Sequence, residues 1–164
     1  ARDVDGAVLL RLEGFEASVR YRAEQLKSAL KNFGALDVID DQASCKTLWR
    51  DIRDARAFLG GGDLWRISVK PSDAPSVLDA IRPEKALLDW GGGLIWAEVA
   101  QGSDVRAKMD VAGHASLMRA SDETFASLER FHPEPAPLAK LSAGLRARFD
   151  TKGLLNPALM GDAA

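Results

Sequence analysis

Three arginines of the chain lie on segments predicted to be strands, where each could bind a carboxylate. Arg11 and Arg66 fall on the polar side of their segments, and Arg119 is a further candidate. A guanidinium group suits this task because its planar fork makes two parallel charge-assisted hydrogen bonds. The alternative is that each arginine is a solvated surface residue or pairs with Glu13 or Glu98. The residue types indicate carboxylate recognition or a set of surface ion pairs.

His114 is the candidate general base, because histidine titrates near physiological pH without strong perturbation. It follows Gly113 at a predicted helix-to-strand junction, where a side chain can face a cleft or simply belong to a loop. The second histidine, His132, lies in a proline-rich linker and is interpreted as structural. Cys45 is the single cysteine, which excludes an intrachain disulfide and a cysteine metal cluster. We predict no metal site.

Composition describes an ordinary globular domain. The 164 residues are 46% hydrophobic and 28% charged, with a net charge of -2, so nothing indicates nucleic-acid binding. No apolar stretch approaches a membrane span, and the polar start does not resemble a signal peptide. The lone cysteine fits a cytoplasmic setting. The glycine runs 60–62 and 91–93 lack the context of a phosphate-binding motif.

Hydrophobic periodicity predicts alternating strands and helices. The predicted strands are 7–13, 36–40, 64–70, 86–90, 94–100 and 115–120, and the predicted helices are 15–33, 43–59, 73–81, 103–112, 121–131 and 138–149. Read from residue 7, with one inserted helix, this order is the ferredoxin-like pattern of an α+β fold. We expect an antiparallel sheet with helices mainly on one face. The other face would be polar, either covering a ligand site or solvated.

The end of the last helix carries a resemblance. The run 149–157 reads aromatic, Asp, Thr, Lys, Gly, two leucines, Asn, Pro, and it resembles the tail of FAD-linked oxidases of the vanillyl-alcohol-oxidase type. The resemblance implies a tail that leaves the substrate-side (cap) domain and returns to a flavin-binding domain, with Asn156 near the flavin. Thr151 and Ala158 depart from the family pattern, which has Pro and Gly there. The alternative is an ordinary helix end, with Gly153 as its stop and Pro157 beyond it.

Other segments extend the resemblance to the smaller flavoprotein-like subunit of bacterial glycolate oxidases. These segments are 9–15, 64–69, 90–96 and 113–120. The resemblance implies a cap domain over 1–132, and a linker, last helix and returning tail over 133–164. It also implies FAD held mostly by a domain outside this chain, a larger flavoprotein subunit and an iron–sulfur subunit as partners, and a cytoplasmic location or attachment to the inner membrane through those partners. The isolated chain is expected to be inactive.

Glycolate oxidation to glyoxylate requires a base for the hydroxyl proton, a hydride acceptor and a cation for the carboxylate. The resemblance therefore suggests His114 as base, and Arg11, Arg66 and Arg119 for the carboxylate. Two departures favour an accessory subunit or a different active site. Gly113 replaces the glutamate of a Glu-His pair, and the hairpin 91–96 lacks the Asp, Asn and His of catalytic relatives. The rival hypothesis is a ferredoxin-like binding or oligomerisation module without a redox role.

The four tryptophans of the chain have two interpretations. Their spacing on predicted helices and strands favours core positions. The alternative is that Trp49, Trp65, Trp90 and Trp96 form an aromatic platform against a flavin. Trp90 and Trp96 also flank the predicted hairpin and could serve an interface.

Overall fold

The computed structural model describes residues 1–156. Its elements, numbered in chain order, are α1 Glu16–Leu30, α2 Gln42–Arg53, β1 Asp63–Val69, α3 Ala74–Ile81, β2 Lys85–Asp89, β3 Leu94–Val99, α4 Val105–Lys108, β4 Gly113–Arg119, α5 Asp122–Ser127 and α6 Ala136–Phe149. All predicted helices are present, although α4 and α5 are much shorter than expected. The predicted strands at 64–70, 86–90, 94–100 and 115–120 are confirmed with small shifts in their ends.

The strands form an antiparallel sheet in the order β2-β3-β1-β4. From β1 to β4 the chain runs β-α-β-β-α-β, the ferredoxin-like element order. The predicted α+β class with an antiparallel sheet is confirmed. The position of the pattern is corrected, because it spans residues 63–119 and does not begin at residue 7.

One face of the sheet packs against α3, α4 and α5. Alternating residues of β1 point to this face, with Trp65 and Ile67 fully buried and Val69 nearly so. The apolar side of α3 meets them through Val77 and Ile81. Because β-strand side chains alternate between faces, Trp65, Ile67 and Val69 share this buried side of the predicted strand 64–70.

The second face, predicted to be polar, is partly covered by an apolar cluster. The cluster on this side contains Leu64 of β1, Leu87 of β2, and Ile52 and Phe58 from α2 and the turn after it. Trp96 of β3 packs against the same cluster. Helix α2 therefore lies over this face and leaves a cleft beside it.

The predicted strands at 7–13 and 36–40 do not form. Both edges of the sheet already have partners: Arg2 exchanges backbone hydrogen bonds with Leu88 of β2, at 2.7 and 2.9 Å. At the other edge, the Leu117 amide of β4 donates to the carbonyl of Arg130 at 2.8 Å. A segment with alternating apolar and polar residues can join a sheet only where an edge strand has unpaired backbone groups, and these edges are already paired. Residues 7–13 keep one isolated bridge, from Val8 to Arg2.

Helices α1 and α6 bury no residue in the described part of the chain. On α6 the apolar side chains repeat at helical spacing and are exposed: Leu138, Leu141, Leu145 and Phe149. On α1 the apolar residues Val19, Leu26 and Leu30 are half-buried, and Tyr21 is exposed. A stripe of this kind normally packs against another element. Helix α6 therefore presents an exposed apolar surface in the described part of the chain.

Candidate functional site

A cleft of about 550 Å³ lies between α2 and the second face of the sheet. Its lining residues are Arg11, Lys46, Trp49, Arg50, Ile52, Arg53, Arg66, Asp89, Trp90, Leu94 and Trp96. This lining holds five cationic side chains against a single carboxylate. The cleft is therefore a positively charged, tryptophan-rich site, suited to an anion that carries apolar or aromatic surface.

Helix α2 supplies most of the charge because its basic residues recur at helical spacing. Lys46, Arg50 and Arg53 follow the i, i+4, i+7 pattern that places side chains on one face, and Trp49 lies between them. The helix begins at Asp41, whose side chain accepts a hydrogen bond from the Ser44 amide at 2.7 Å. This cap fixes where α2 starts and so which residues face the cleft.

The structure brings Arg11 and Arg66 to the same cleft, although 55 positions separate them in the sequence. The Arg66 guanidinium lies over the ring of Trp90, 5.6 Å from its centre, and that of Arg11 lies over Trp49 at the same distance. Arg11 also forms an exposed ion pair with Glu13, one of the alternatives predicted for it. In the described residues no carboxylate pairs with Arg66. Arg66 is therefore the more available of the two cations.

The tryptophans divide between core and cleft. Trp65 is fully buried in the main core, as predicted. Trp49 and Trp96 are half-buried against the second cluster and also line the cleft. Trp90 is 63% exposed, so it contributes little to packing and much to the surface of the cleft.

Trp90 adopts a left-handed backbone with φ of 52° at the start of the β2–β3 hairpin. This region is unfavourable for a bulky residue and costs about 1–2 kcal/mol. The Asp89 carboxylate supports the turn by accepting a hydrogen bond from the Trp90 amide at 2.8 Å. Gly91 and Gly92 follow with φ of 66° and 104°, which accounts for glycine at these positions. The hairpin therefore holds an exposed indole in the lining of the cationic cleft.

Replacing Trp90 tests the strain directly. We expect the Trp90→Asn variant to be more stable than the Trp90→Ala variant, with a free energy of unfolding higher by about 1 kcal/mol. The reason is that Asn tolerates the left-handed region and Ala does not. Urea denaturation of both variants measures the difference. The same two replacements at Leu36, which is exposed and lacks a positive φ, should differ little. Equal stability of the two Trp90 variants would show that the backbone is unstrained.

Arg119 lies apart from the cleft lining and is engaged in structural contacts. It donates to the carbonyl of Phe58 and lies 3.2 Å from Oε2 of Glu98, whose side chain is only 3% exposed. Lys85 lies 3.8 Å from the other carboxylate oxygen of Glu98. A Cβ on Gly61 would approach Glu98 Oε1 to 2.7 Å. Glycine at this position therefore lets the backbone pack closely against the Glu98 carboxylate. The ion pair between Arg119 and Glu98 is one of the alternatives predicted from the sequence.

His114 lies on β4, on the same sheet face as Arg66. In the strand register His114 opposes Ser68 and Arg66 opposes Ser116, so His114 and Arg66 are diagonal neighbours. Such pairs are typically about 7–8 Å apart. The His114 ring is exposed and makes an edge-on contact with His132, with ring centres 5.6 Å apart. His114 is not among the residues that line the cleft.

His132 has the structural role predicted for it, since its Nδ1 accepts a hydrogen bond from the Ala115 amide at 3.3 Å. This contact requires neutral imidazole with the proton on Nε2. Burial lowers the pKa of His132, and the charges of His114 and Arg106 lower it further.

A pH dependence of stability follows from this lowered pKa. Above the unfolded pKa of about 6.5, His132 is neutral in both states and its contribution is complete. As the pH falls from there through the folded pKa, the unfolded chain binds the proton first and the free energy of unfolding decreases. Urea titrations on both sides of this window should show the decrease in the wild type and a smaller one in His132→Gln. An unchanged slope in His132→Gln would assign the effect to other groups.

Asn156 is the last described residue and has a left-handed backbone with φ of 49°. The turn before it is organised by Asp150, whose carboxylate accepts hydrogen bonds from the amides of Leu154 and Leu155, both at 2.8 Å. These bonds lower the pKa of Asp150. Asn156 is exposed and far in sequence from the cleft residues, and Pro157 and Ala158 lie outside the described residues.

In residues 1–156, no group of three or more histidine, cysteine or carboxylate side chains is arranged to hold an ion. Over the same residues, every helix is too short or too polar to cross a bilayer.

The cationic residues of α2 were not predicted as site residues from the sequence. Their signal was present in the helical spacing of Lys46, Arg50 and Arg53. What the sequence could not show is that α2 packs over the second sheet face, because that depends on the cluster around Phe58 and Leu64.

Comparison with known proteins gives one informative match. Over 160 residues the chain is 32% identical to Glycolate oxidase subunit GlcE of Escherichia coli (strain K12). The chain is similar to a glycolate oxidase subunit. The resemblance predicted from the sequence is confirmed, and it extends over 95% of this chain. The chain spans 39% of the length of that relative. No family model matches the chain, and no solved structure matches it.

Proposed function

We propose that this chain is the C-terminal, substrate-side domain of an FAD-dependent glycolate oxidase subunit, and that it closes over the flavin during oxidation of glycolate to glyoxylate. The carrying observation is the 32% identity to the glycolate oxidase relative across 95% of the chain. The cationic cleft adds support, because the substrate is a carboxylate. Residues 1–132 would form the cap, and residues 133–164 the linker, last helix and returning tail, with Asn156 near the flavin.

Residues at the second sheet face could each bind a different group of the substrate. Arg66, which has no carboxylate partner in the described residues, would hold the substrate carboxylate, with Arg11 as a second cation. His114, the diagonal neighbour of Arg66, would accept the hydroxyl proton. The carboxylate and hydroxyl groups of glycolate are on adjacent carbons, so a cation and a base on neighbouring strands suit it. Arg119 would keep Glu98 neutralised beneath this face.

The cleft also fits the chemical character of a flavin. The indole rings of Trp49, Trp90 and Trp96 offer planar surfaces for a ring, and the cations of α2 suit phosphate groups. When bound, FAD would supply the hydride acceptor. Most of its binding would come from a domain outside this chain, so the chain alone would not retain FAD through purification.

Docking on the rest of the enzyme would use helices α1 and α6. Neither helix has a buried residue in the described part of the chain, and α6 exposes its apolar side chains, as expected for a helix that packs against another part of the assembly. Leu141, Leu145 and Phe149 of α6 are 65%, 61% and 79% exposed. The proposed partners are the flavin-binding part of the subunit, a larger flavoprotein subunit and an iron–sulfur subunit. Attachment to these subunits would place the chain in the cytoplasm or at the inner membrane.

Purification of the complete subunit with its partner subunits tests the proposal. We expect this assembly to reduce an artificial electron acceptor with glycolate, and the isolated chain to show neither turnover nor flavin absorbance. Turnover of D-lactate but not of glycolate would overturn the assignment of glycolate as the substrate. The assignment to the oxidase class would remain intact. Stoichiometric flavin on the isolated chain would overturn the claim that the flavin is held elsewhere.

A further inference from the structure

We infer that residues 129–132 are a pH-sensitive latch, which holds the linker to helix α6 against the outer edge of β4 and releases it when His132 is protonated. The latch lies between α5 and the proline-rich linker. Two side chains, His132 and Arg106, keep it in place. The inference concerns how α6 is attached to the sheet, so it does not depend on the proposed oxidase activity.

The latch occupies two backbone amides on the outer edge of β4. The Leu117 amide donates to the Arg130 carbonyl at 2.8 Å, and the Ala115 amide donates to Nδ1 of His132 at 3.3 Å. Amides at a sheet edge normally bond to the backbone of a neighbouring strand. Here one of the two acceptors is an imidazole nitrogen. The protonation state of His132 therefore decides whether that hydrogen bond exists.

Arg106 of α4 holds the latch through two further hydrogen bonds. Its Nη1 donates to the Phe131 carbonyl at 2.7 Å, and its Nη2 donates to the Glu129 carbonyl. The guanidinium also lies over the ring of the fully buried Trp65, 4.8 Å from the ring centre. This stacking fixes the guanidinium at the position from which it reaches both carbonyls.

Protonation of His132 would break its bond to β4. The neutral ring accepts through Nδ1, whereas the imidazolium has a proton on both nitrogens and no acceptor. Two basic groups face the ring, His114 of β4 and Arg106 of α4, and the carboxylates of Asp104 and Glu129 line the same small cleft. Burial, and then the charges of His114 and Arg106, lower the pKa of His132. A released ring therefore takes up a proton more readily than the attached ring.

The two ends of the latch are held differently. Leu128, just before it, packs against the main core. Pro133, just after it, has no N–H group and cannot extend the pairing along β4. The latch would therefore open from the His132 end, with Leu128 as the fixed point. Opening would let the linker and α6 move together away from the sheet.

Hydrogen exchange at single amides of the full chain tests the latch. Short of global unfolding, the amides of Ala115 and Leu117 lose their partners only when it opens. Protection factors, which remove the intrinsic effect of pH, are compared about one pH unit above and below the usual histidine pKa of about 6.5. We expect protection of both amides to be several-fold lower at the lower pH, with about tenfold as the limit for one proton.

The amide of Ile67, on the central strand β1, reports global unfolding in the same experiment. A low concentration of urea should accelerate exchange at Ile67 and leave Ala115 and Leu117 unchanged, because a local opening exposes little surface. Equal acceleration at Ala115 and Ile67 would show that the latch does not open locally, and the proposal would fail.

His132→Asn separates the latch from other titrating groups. The carbonyl oxygen of Asn can accept the Ala115 amide in place of Nδ1, and it does not titrate in this range. We expect this variant to keep the protection of the wild type at the higher pH and to lose the dependence on pH. A pH dependence that persists in His132→Asn would assign the effect to another group, such as His114, and would overturn the proposal.

Arg106→Met tests the second attachment. It should lower protection of the Ala115 and Leu117 amides by about tenfold at both pH values, because two hydrogen bonds to the latch are lost. The control is Arg20→Met, which removes an exposed ion pair on α1 and should change protection by less than about twofold. Circular dichroism confirms that the variants are folded. Equal protection in the two variants would overturn the role of Arg106, and wild-type protection that is independent of pH would overturn the latch itself.

Discussion

Arg119→Ala is expected to lower the free energy of unfolding by about 2–4 kcal/mol. The reason is that Glu98 is buried, with a side chain 3% exposed, and Arg119 is its nearer cationic partner at 3.2 Å. Removing Arg119 leaves the buried Glu98 carboxylate with a weaker and more distant cationic partner. Lys85, at 3.8 Å, would recover part of the loss. Urea denaturation at neutral pH measures the change.

Arg20→Ala is the matched control, because Arg20 pairs with Glu16 on the exposed surface of α1. Surface pairs contribute about 0–1 kcal/mol, so its effect should be small. In a double-mutant cycle, Glu98→Gln should reduce the cost of Arg119→Ala by removing the buried charge. A cost for Arg119→Ala no larger than that for Arg20→Ala would show that Glu98 does not depend on Arg119.

Arg66→Met is expected to lower kcat/KM for glycolate in the complete enzyme by about 10- to 100-fold. Hydrogen bonds to charged groups contribute about 1.5–3 kcal/mol, which corresponds to this range. Arg66→Lys should recover part of the loss, since lysine keeps the charge but not the bidentate geometry. Steady-state kinetics with glycolate measures both variants.

Arg130→Met controls for loss of an arginine that packs on an aromatic ring. Arg130 lies over Phe125, 4.1 Å from its centre, and is half-buried as Arg66 is. It is not among the cleft residues, so its replacement should leave kcat/KM nearly unchanged. Equal losses for Arg66→Met and Arg130→Met would indicate a general effect of arginine removal on the fold.

The parts of the fold that the sequence predicted are those where local pattern and tertiary packing agree. Alternation in β1 and the apolar side of α3 are both satisfied by the same core, which contains Trp65 and Val77. The segments 7–13 and 36–40 alternate as well, but the sheet edges are taken by Arg2 and by the residues before His132. Alternation indicates that a strand could form, whereas a free edge decides whether it does.

For the candidate site, the sequence identified individual side chains but not which of them lie close together. Arg11 and Arg66 were predicted as candidates from the polar sides of their segments, and they reach one cleft through packing that the sequence does not display. The strain at Trp90 was equally hidden, because a positive φ depends on how the hairpin between β2 and β3 closes. The basic face of α2 required knowledge of which sheet face the helix covers.

Anaerobic addition of glycolate to the complete subunit with its partner subunits tests the central proposal most directly, with flavin absorbance as the readout. The proposal predicts loss of the oxidised flavin band on mixing, a slower loss in Arg66→Met, and a normal rate in Arg130→Met. A flavin that stays oxidised in glycolate, or an Arg66→Met variant that is reduced at the wild-type rate, would contradict it.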